Sequence, residues 1–396
     1  MATTTTTIII GAGAAGITAG YTLLQQGISD FVVLEASSTY LGRIKKFNTL
    51  TNFPIDIGAE WIHVDPSILT TIVDDPNVVV DVETTPFIPK YYEWDGSLLN
   101  EISYFPLDEH KFVNYTWYDF FNDYLVPNVI DKIELNCMVT KVEWTNSATN
   151  VTCENGKLFA GNKVIVTVPI KVLQENDILF VPDLPSDLVS AFNVPVVGSG
   201  MKVFLVFNEK FYPESFSIES DRVGIELMDS ERFFYDETDG QSSTDHVLGV
   251  YMFGDVANRF VTLSDDDVIQ AVLSDLNSVF ENKVATNNYI KGIVQNWANE
   301  PYIRGAYSIY VDKYAAIDVL RQPLSNTLYF AGEAIPIAAS DNGFVHGAAL
   351  SGQNAALTSI DPIHNNIIEG MVNSRQHQLL MCEYINNYNW KYDSKL

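Results

Sequence analysis

Cysteine is scarce here: three in 396 residues, at positions 137, 153 and 382, with no Cys-x-x-Cys spacing. That argues against a zinc site and against a disulfide framework, and it suits a reducing compartment. Histidine is equally sparse, six residues far apart in sequence, so no metal motif forms and no metal is expected. No apolar run reaches the length of a membrane span. The threonine run in residues 1–7 has no basic region or long apolar region, so no secretory signal is expected. Basic side chains are outnumbered 23 to 50, for a formal net charge of −27. Such a field repels nucleic acid and anionic membrane and attracts cations. Neither an internal repeat nor a linker is visible.

What is present is apolar bulk, 47% of residues, enough for two domains or one with a large insertion. Helical and strand-like segments alternate, which sets an α/β class. Residues 8–10 read as a strand, 17–26 as a helix closed by Gly27, and 31–34 as a second strand. Residues 47–57 look like a short hairpin, and 65–128 look irregular. Strands return at 132–135, 139–144 and 164–168, with a hairpin over 150–160. Residues 201–207 form another strand. Ser264 and Asp267 cap a helix whose apolar face includes Val268, Val272 and Leu276. A strand at 328–331 precedes a helix over 343–357, and residues 363–388 suggest a last helix.

Between the first strand and first helix lies Gly11-x-Gly13-x-Ala15-Gly16. The glycines allow a tight turn, close approach of backbone to a pyrophosphate, and close helix–strand packing. The helix start presents free N–H groups to phosphate. Glu35, 19 residues past Gly16 and followed by Ala36, closes the second strand where a carboxylate accepts ribose hydroxyls. Alone, this unit does not separate NAD from FAD. Arg43 follows within reach of a pyrophosphate. At the far end, a strand ending in Gly332-Glu333 precedes Gly343-Phe344-Val345, a second cradle that NAD does not need and an extended FAD does.

At these residues the chain resembles the flavin-containing amine oxidases, the group of monoamine and polyamine oxidases. The resemblance runs through 8–65, 133–212 and 294–356. It includes the turn Gly58-Ala59-Glu60-Trp61-Ile62-His63, similar to the family's Gly-x-x-Trp-Ile-His beside the flavin. It also takes in Val139, matching a valine whose backbone contacts adenine, and the segment Trp297, Pro301, Gly305, Ala306, Tyr307, Ser308. The implied fold is a Rossmann-like FAD-binding domain built from both chain ends (1–75, 130–180, 295–360). Beside it stands an α+β substrate domain with a mixed sheet (76–129, 181–294), its helical part shortened, and a C-terminal helix and tail (361–396). Three departures stand out: Leu41 for a glycine, Val64 for another, and a much shorter stretch between Trp61 and Ile133. The last implies a more open site, or one completed by another subunit.

The resemblance also implies roles. Alternation puts Lys202, Phe204 and Val206 on one strand face, and Lys202 matches the lysine that holds a water near the flavin. Tyr307 and Phe344 match the aromatic pair flanking the amine, with Trp61 and His63 as further substrate contacts. Ala306 stands where monoamine oxidases carry a flavin-linking cysteine, so FAD is expected to be non-covalent. The expected activity is oxidation of spermine, spermidine or their N-acetyl forms by O2, to an aldehyde, a shorter amine and H2O2. Rival readings are an amino-acid oxidase, with Arg304 receiving a carboxylate, and a flavin-binding protein with little turnover. Finally, Ser394-Lys395-Leu396 reads as a peroxisomal address recognised by an import receptor.

Overall fold

The computed structural model describes residues 2–102, 109–219, 231–311 and 313–361. The tripeptide Ser394-Lys395-Leu396 and the helix expected over 363–388 lie outside them.

Three sheets carry the chain. The first is five-stranded and wholly parallel, in the order Ile133–Glu134, Phe31–Leu34, Thr7–Ile10, Lys163–Val166, Leu328–Phe330. Its β-branched runs are buried on both faces, as a parallel sheet requires. Helices Ala14–Gln25 and Val345–Ile360 pack on it and on each other at close range. A Cβ on Gly352 would lie 2.0 Å from the Ala15 carbonyl oxygen, so only glycine permits that crossing. The strands come from both ends of the chain, and they meet because each pairs in parallel with a neighbour distant in sequence.

The second sheet also has five strands; its antiparallel centre is Val139–Trp144, Thr149–Cys153 and Leu158–Gly161. Here the structure corrects the expectation of unpaired cysteines: Cys137 and Cys153 form a disulfide, 16 residues apart, both 1% exposed. Antiparallel return of the chain, with Val139 opposite Cys153, brings the two sulfurs together.

The third sheet is mixed and seven-stranded, with Gly200–Phe207 between Tyr289–Asn296 and His246–Phe253. Helix Asp265–Val279 covers one face, through Val268, Ile269, Val272, Leu273 and Leu276 against Met201, Val203 and Leu205. Ser264 accepts a hydrogen bond from the Asp267 amide, as the cap requires. Residues 65–128 are less irregular than expected. They supply helices Ile68–Val73 and Trp117–Tyr124, and the strands Tyr91–Trp94 and Leu99–Ile102 at one edge of this sheet. The opposite face of the third sheet carries Lys202, Phe204 and Val206 and packs against the segment 55–61.

Candidate active site

The glycine turn closes the strand Thr7–Ile10. Thr167 donates its hydroxyl to the Ile10 and Gly11 carbonyl oxygens. A Cβ on Gly16 would lie 1.9 Å from the Gly11 oxygen, whereas one on Gly13 would meet nothing within 4 Å. So Gly16 serves packing, and Gly13 faces open space at the helix start beside Ala15. Glu35 is held by the amides of Ala12 at 2.8 Å and Ser37 at 2.9 Å. Burial pushes its carboxyl upward, and the amides of Ser37, Ala12 and Ala36 hold it back. Cys137 donates its amide to the Glu35 oxygen, which ties the segment leading to Val139 to this corner.

Two strands away, Gly332 follows Leu328–Phe330 with φ of +143°, and it too faces open space. Arg43 donates to the Ala306 oxygen at 2.6 Å and to Glu333 at 3.0 Å. Glu333 also accepts from the Ser308 hydroxyl at 2.6 Å. Its carboxylate is therefore engaged in joining Arg43 to the Ala306–Ser308 segment. Leu41 has φ of +73° and Gly42 +54°, so Leu41 adopts the left-handed conformation that favours a glycine. Gly58 packs against Arg43 and Trp297, and Trp297 donates its indole N–H to the Ile57 oxygen at 3.1 Å. Ala59 donates its amide to the Arg43 oxygen.

The candidate substrate residues lie beside one another. His63 lies against Phe344, tilted by 32° with centroids 4.4 Å apart, and Val345 then opens the last helix. Gly343, just before Phe344, lies against the Tyr307 ring. The Tyr307 hydroxyl hydrogen-bonds that of Tyr251 at 2.9 Å, and its ring stacks on Phe253 at 4.5 Å. Tyr251 sits opposite Lys202 in the sheet. The Lys202 ammonium lies 4.9 Å over the Trp61 ring, and Trp61 neighbours His63 at 6.4 Å. Glu109, not anticipated, pairs with His63 Nδ1 at 3.0 Å.

Lys202 is 4% exposed. It donates to Glu60 Oε2 at 2.6 Å and to the Asp56 main-chain oxygen at 3.3 Å. Glu60 Oε2 also accepts from Tyr235 at 2.7 Å, and Oε1 lies 3.1 Å from Lys111. Lys111 in turn donates to Glu237 at 2.6 Å. Burial acts first on Glu60 and would raise its pKa; the two ammoniums, Lys202 foremost, outweigh this and bring it down to about 2. Burial and then the Glu60 charge push Glu237 well up; burial pushes Asp56 well up, with Lys202 opposing. Lys111, Tyr235 and Glu237 escaped the sequence reading. The alternation Phe233, Tyr235, Glu237 was the available signal, but it lay on a strand that was not recognised.

These residues fit a flavin dinucleotide. Gly13 and Gly332 leave backbone open along the ends of the parallel strands, Glu35 closes the neighbouring strand against the Ala12 amide, and the buried Trp61 indole N–H has no partner among the described residues. A parallel dinucleotide sheet joined to a mixed sheet that presents a lysine between aromatic walls defines the class of two-domain flavin oxidoreductases.

The comparisons name the group. The family described as flavin containing amine oxidoreductase matches residues 125–357, and the NAD(P)-binding Rossmann-like domain matches 9–83. The chain belongs to the flavin-containing amine oxidoreductases, and its cofactor is FAD. It is 32% identical over 226 residues to Polyamine oxidase 4 of Oryza sativa subsp. japonica, covering 57% of this chain and 44% of that protein. With Polyamine oxidase 1 of Zea mays it shares 23% over 492 aligned positions, covering 98% and 93%. That alignment is longer than this chain's 396 residues, so the maize protein has segments absent here. With Histone demethylase-like protein A of Aspergillus fumigatus it shares 30% over 256 residues, 60% of this chain and 23% of that one. The chain thus spans less than half the length of the rice and Aspergillus relatives. Among solved structures, putrescine oxidase bound to putrescine matches its fold with a TM-score of 0.74 at 16% identity, over 91% of this chain and 100% of that one.

Proposed function

We propose that the chain oxidises a polyamine, spermine, spermidine or an N-acetylated form, at a carbon next to nitrogen, releasing an aldehyde, a shorter amine and H2O2. FAD supplies the hydride acceptor and the route to O2. The single observation that carries the reading is the run of contacts Lys202–Trp61–His63–Phe344, with Tyr307 and its partner Tyr251 reached through Gly343, the residue before Phe344. The Tyr307 and Phe344 rings, brought near each other by Gly343, offer an aromatic setting that would disfavour the ammonium form of a bound amine and so free its lone pair. Lys202 has three N–H groups and two acceptors among the described residues, which leaves one N–H for a water beside the cofactor. Glu109 behind His63, with the formal charge of −27, favours a cation with a second amine. Ala306 offers no thiol, so the flavin is held without a covalent bond.

Arg304, the carboxylate receptor an amino-acid oxidase would need, is already paired with Glu175 and Asp177. This disfavours that rival. The test is anaerobic mixing with spermine, spermidine, their N-acetyl forms, monoamines, a methyl-lysine peptide and amino acids. Bleaching of the flavin by a polyamine first and fastest is expected; no bleaching by any amine supports a flavin-binding protein with little turnover. Peroxisomal delivery through Ser394-Lys395-Leu396 is part of the proposal, and removing those residues should leave a folded, cytosolic enzyme.

A further inference from the structure

We infer that Glu60 is a positioning residue for Lys202: braced by Lys111 and Tyr235, its carboxylate keeps the Lys202 ammonium charged and fixed over Trp61. The inference rests on the reading of Lys202 as part of the oxidase site.

Among the described residues, Glu60 contributes the one carboxylate that pairs with the Lys202 ammonium. The other acceptor, at 3.3 Å, is a main-chain oxygen, and the Asp56 side chain accepts instead from the Trp117 amide at 3.3 Å. Glu60 Oε2 accepts from Lys202 and Tyr235, and Oε1 faces the Lys111 ammonium at 3.1 Å as an ion pair without a hydrogen bond. The carboxylate therefore cannot swing away from the lysine without breaking an ion pair and a hydrogen bond. Lys111 is steadied from behind by Glu237 at 2.6 Å. Tyr235 reaches Glu60 because residue 249 on the next strand is glycine; a Cβ there would lie 2.4 Å from the tyrosine ring.

Stability alone does not account for this arrangement. Five ionisable side chains at 5% exposure or less (Asp56, Glu60, Lys111, Lys202, Glu237) come from four segments of the chain. Buried ion networks are often no more stable than apolar replacements of similar volume. What the network provides is a cation held in one place over the Trp61 ring. The groups that face Lys202 are Asp56 and Glu60 from the turn, Lys111 from His110–Phe112, Tyr235 and Glu237 from one sheet strand and its end, and Tyr251 from another.

The test uses the flavin-loaded protein and Glu60→Gln, which keeps shape and removes charge. Deprived of its counter-ion, the buried ammonium gives up its proton more readily. A new transition should therefore appear in the flavin absorbance as pH rises and the lysine neutralises. It should be absent from the parent and from Glu60→Gln/Lys202→Met. In the same variant, reaction of the reduced enzyme with O2 should slow about tenfold, with anaerobic reduction by amine changed less than about threefold. The double variant should be no slower than Lys202→Met alone. A flat titration in Glu60→Gln, a transition that persists in the double variant, or losses that multiply there would each overturn the inference. Should Glu60→Gln fail to fold, Tyr235→Phe removes one bond to the same oxygen. A smaller loss confined to the O2 step then supports the role, and parent behaviour refutes it. Absence of amine bleaching in the parent would sink the oxidase reading while leaving the titration readable.

Discussion

At the residue scale the site depends on charges kept away from water. Lys202 faces Trp61 and Phe204, and its ammonium is held by Glu60 rather than by solvent. Lys202→Met should separate two steps: reaction of the reduced enzyme with O2 should fall about a hundredfold, as when one preorganised electrostatic group is lost, while anaerobic reduction by amine changes much less. Stopped-flow absorbance reads both, and a parent-like O2 step would return Lys202 to a structural role. Glu237 makes a pH prediction. Its folded pKa is well raised, by burial first and by Glu60 second, against the opposing charge of Lys111. An unfolded glutamate releases its proton near pH 4.3, whereas the folded one keeps it, so stability falls as pH rises through that window. Gln can copy the protonated carboxyl, accepting from Lys111 and donating to Glu60. Glu237→Gln should flatten the decline in unfolding free energy as pH rises above about 4.3, by at most about 1.4 kcal/mol per pH unit. Glu60 behaves oppositely: its pKa is brought down to about 2, so its stabilisation holds at neutral pH and is lost as pH falls toward that value.

Single elements place these residues, and some were easier to read than others. The turn Gly11–Gly16, the strand ending before Glu35 and the capped helix after Ser264 carry local signals, because glycine spacing, a continuous apolar run and a cap need no partner. The strands Tyr91–Trp94, Glu231–Asp236 and His246–Phe253 carry none, since their aromatic and charged residues make sense only opposite their neighbours. Without those strands Lys202 looked isolated, and its partners were assigned to no face. The disulfide was missed for the same reason: Cys137 and Cys153 meet across an antiparallel return. Closing a loop of that length stabilises by about 3 kcal/mol in the chain-entropy account. Cys153→Ser should therefore lower the unfolding free energy by about 2–3 kcal/mol in urea, and reducing the unfolded parent should erase the difference. At the helix crossing, Gly352→Ala puts a Cβ 2.0 Å from the Ala15 oxygen. It should cost about 1–3 kcal/mol and lower flavin occupancy, because the displaced helix is the one whose partner opens at Gly13. A variant with parent melting temperature and full flavin content would show that the two helices can part without cost.

Across the whole molecule, the proposed cofactor site draws on segments far apart in the chain. Gly13 and Glu35 come from its beginning, Val139 from the disulfide-bonded sheet, and Trp297 and Gly332 from its last third. Arg43 and the buried Glu333 already join two of these segments at 3.0 Å. Flavin bound across all of them favours the folded state over the unfolded by mass action. At a free flavin concentration a thousandfold above Kd this is about 4 kcal/mol. Removing FAD should therefore lower the melting temperature by several degrees and expose the segments around Gly13 and Gly332 to proteolysis; adding FAD back should restore both. Since Ala306 provides no sulfur for a thioether, acid precipitation should leave the yellow colour in the supernatant. Glu35→Ala should make the loss easier, because an acceptor fixed by two backbone amides disappears, at about 1–3 kcal/mol for a charged hydrogen-bond partner. A yellow pellet after acid would mean a covalent link elsewhere. An apo-protein as heat-stable and protease-resistant as the holo-protein would mean that the fold joins the two ends of the chain without help from the cofactor.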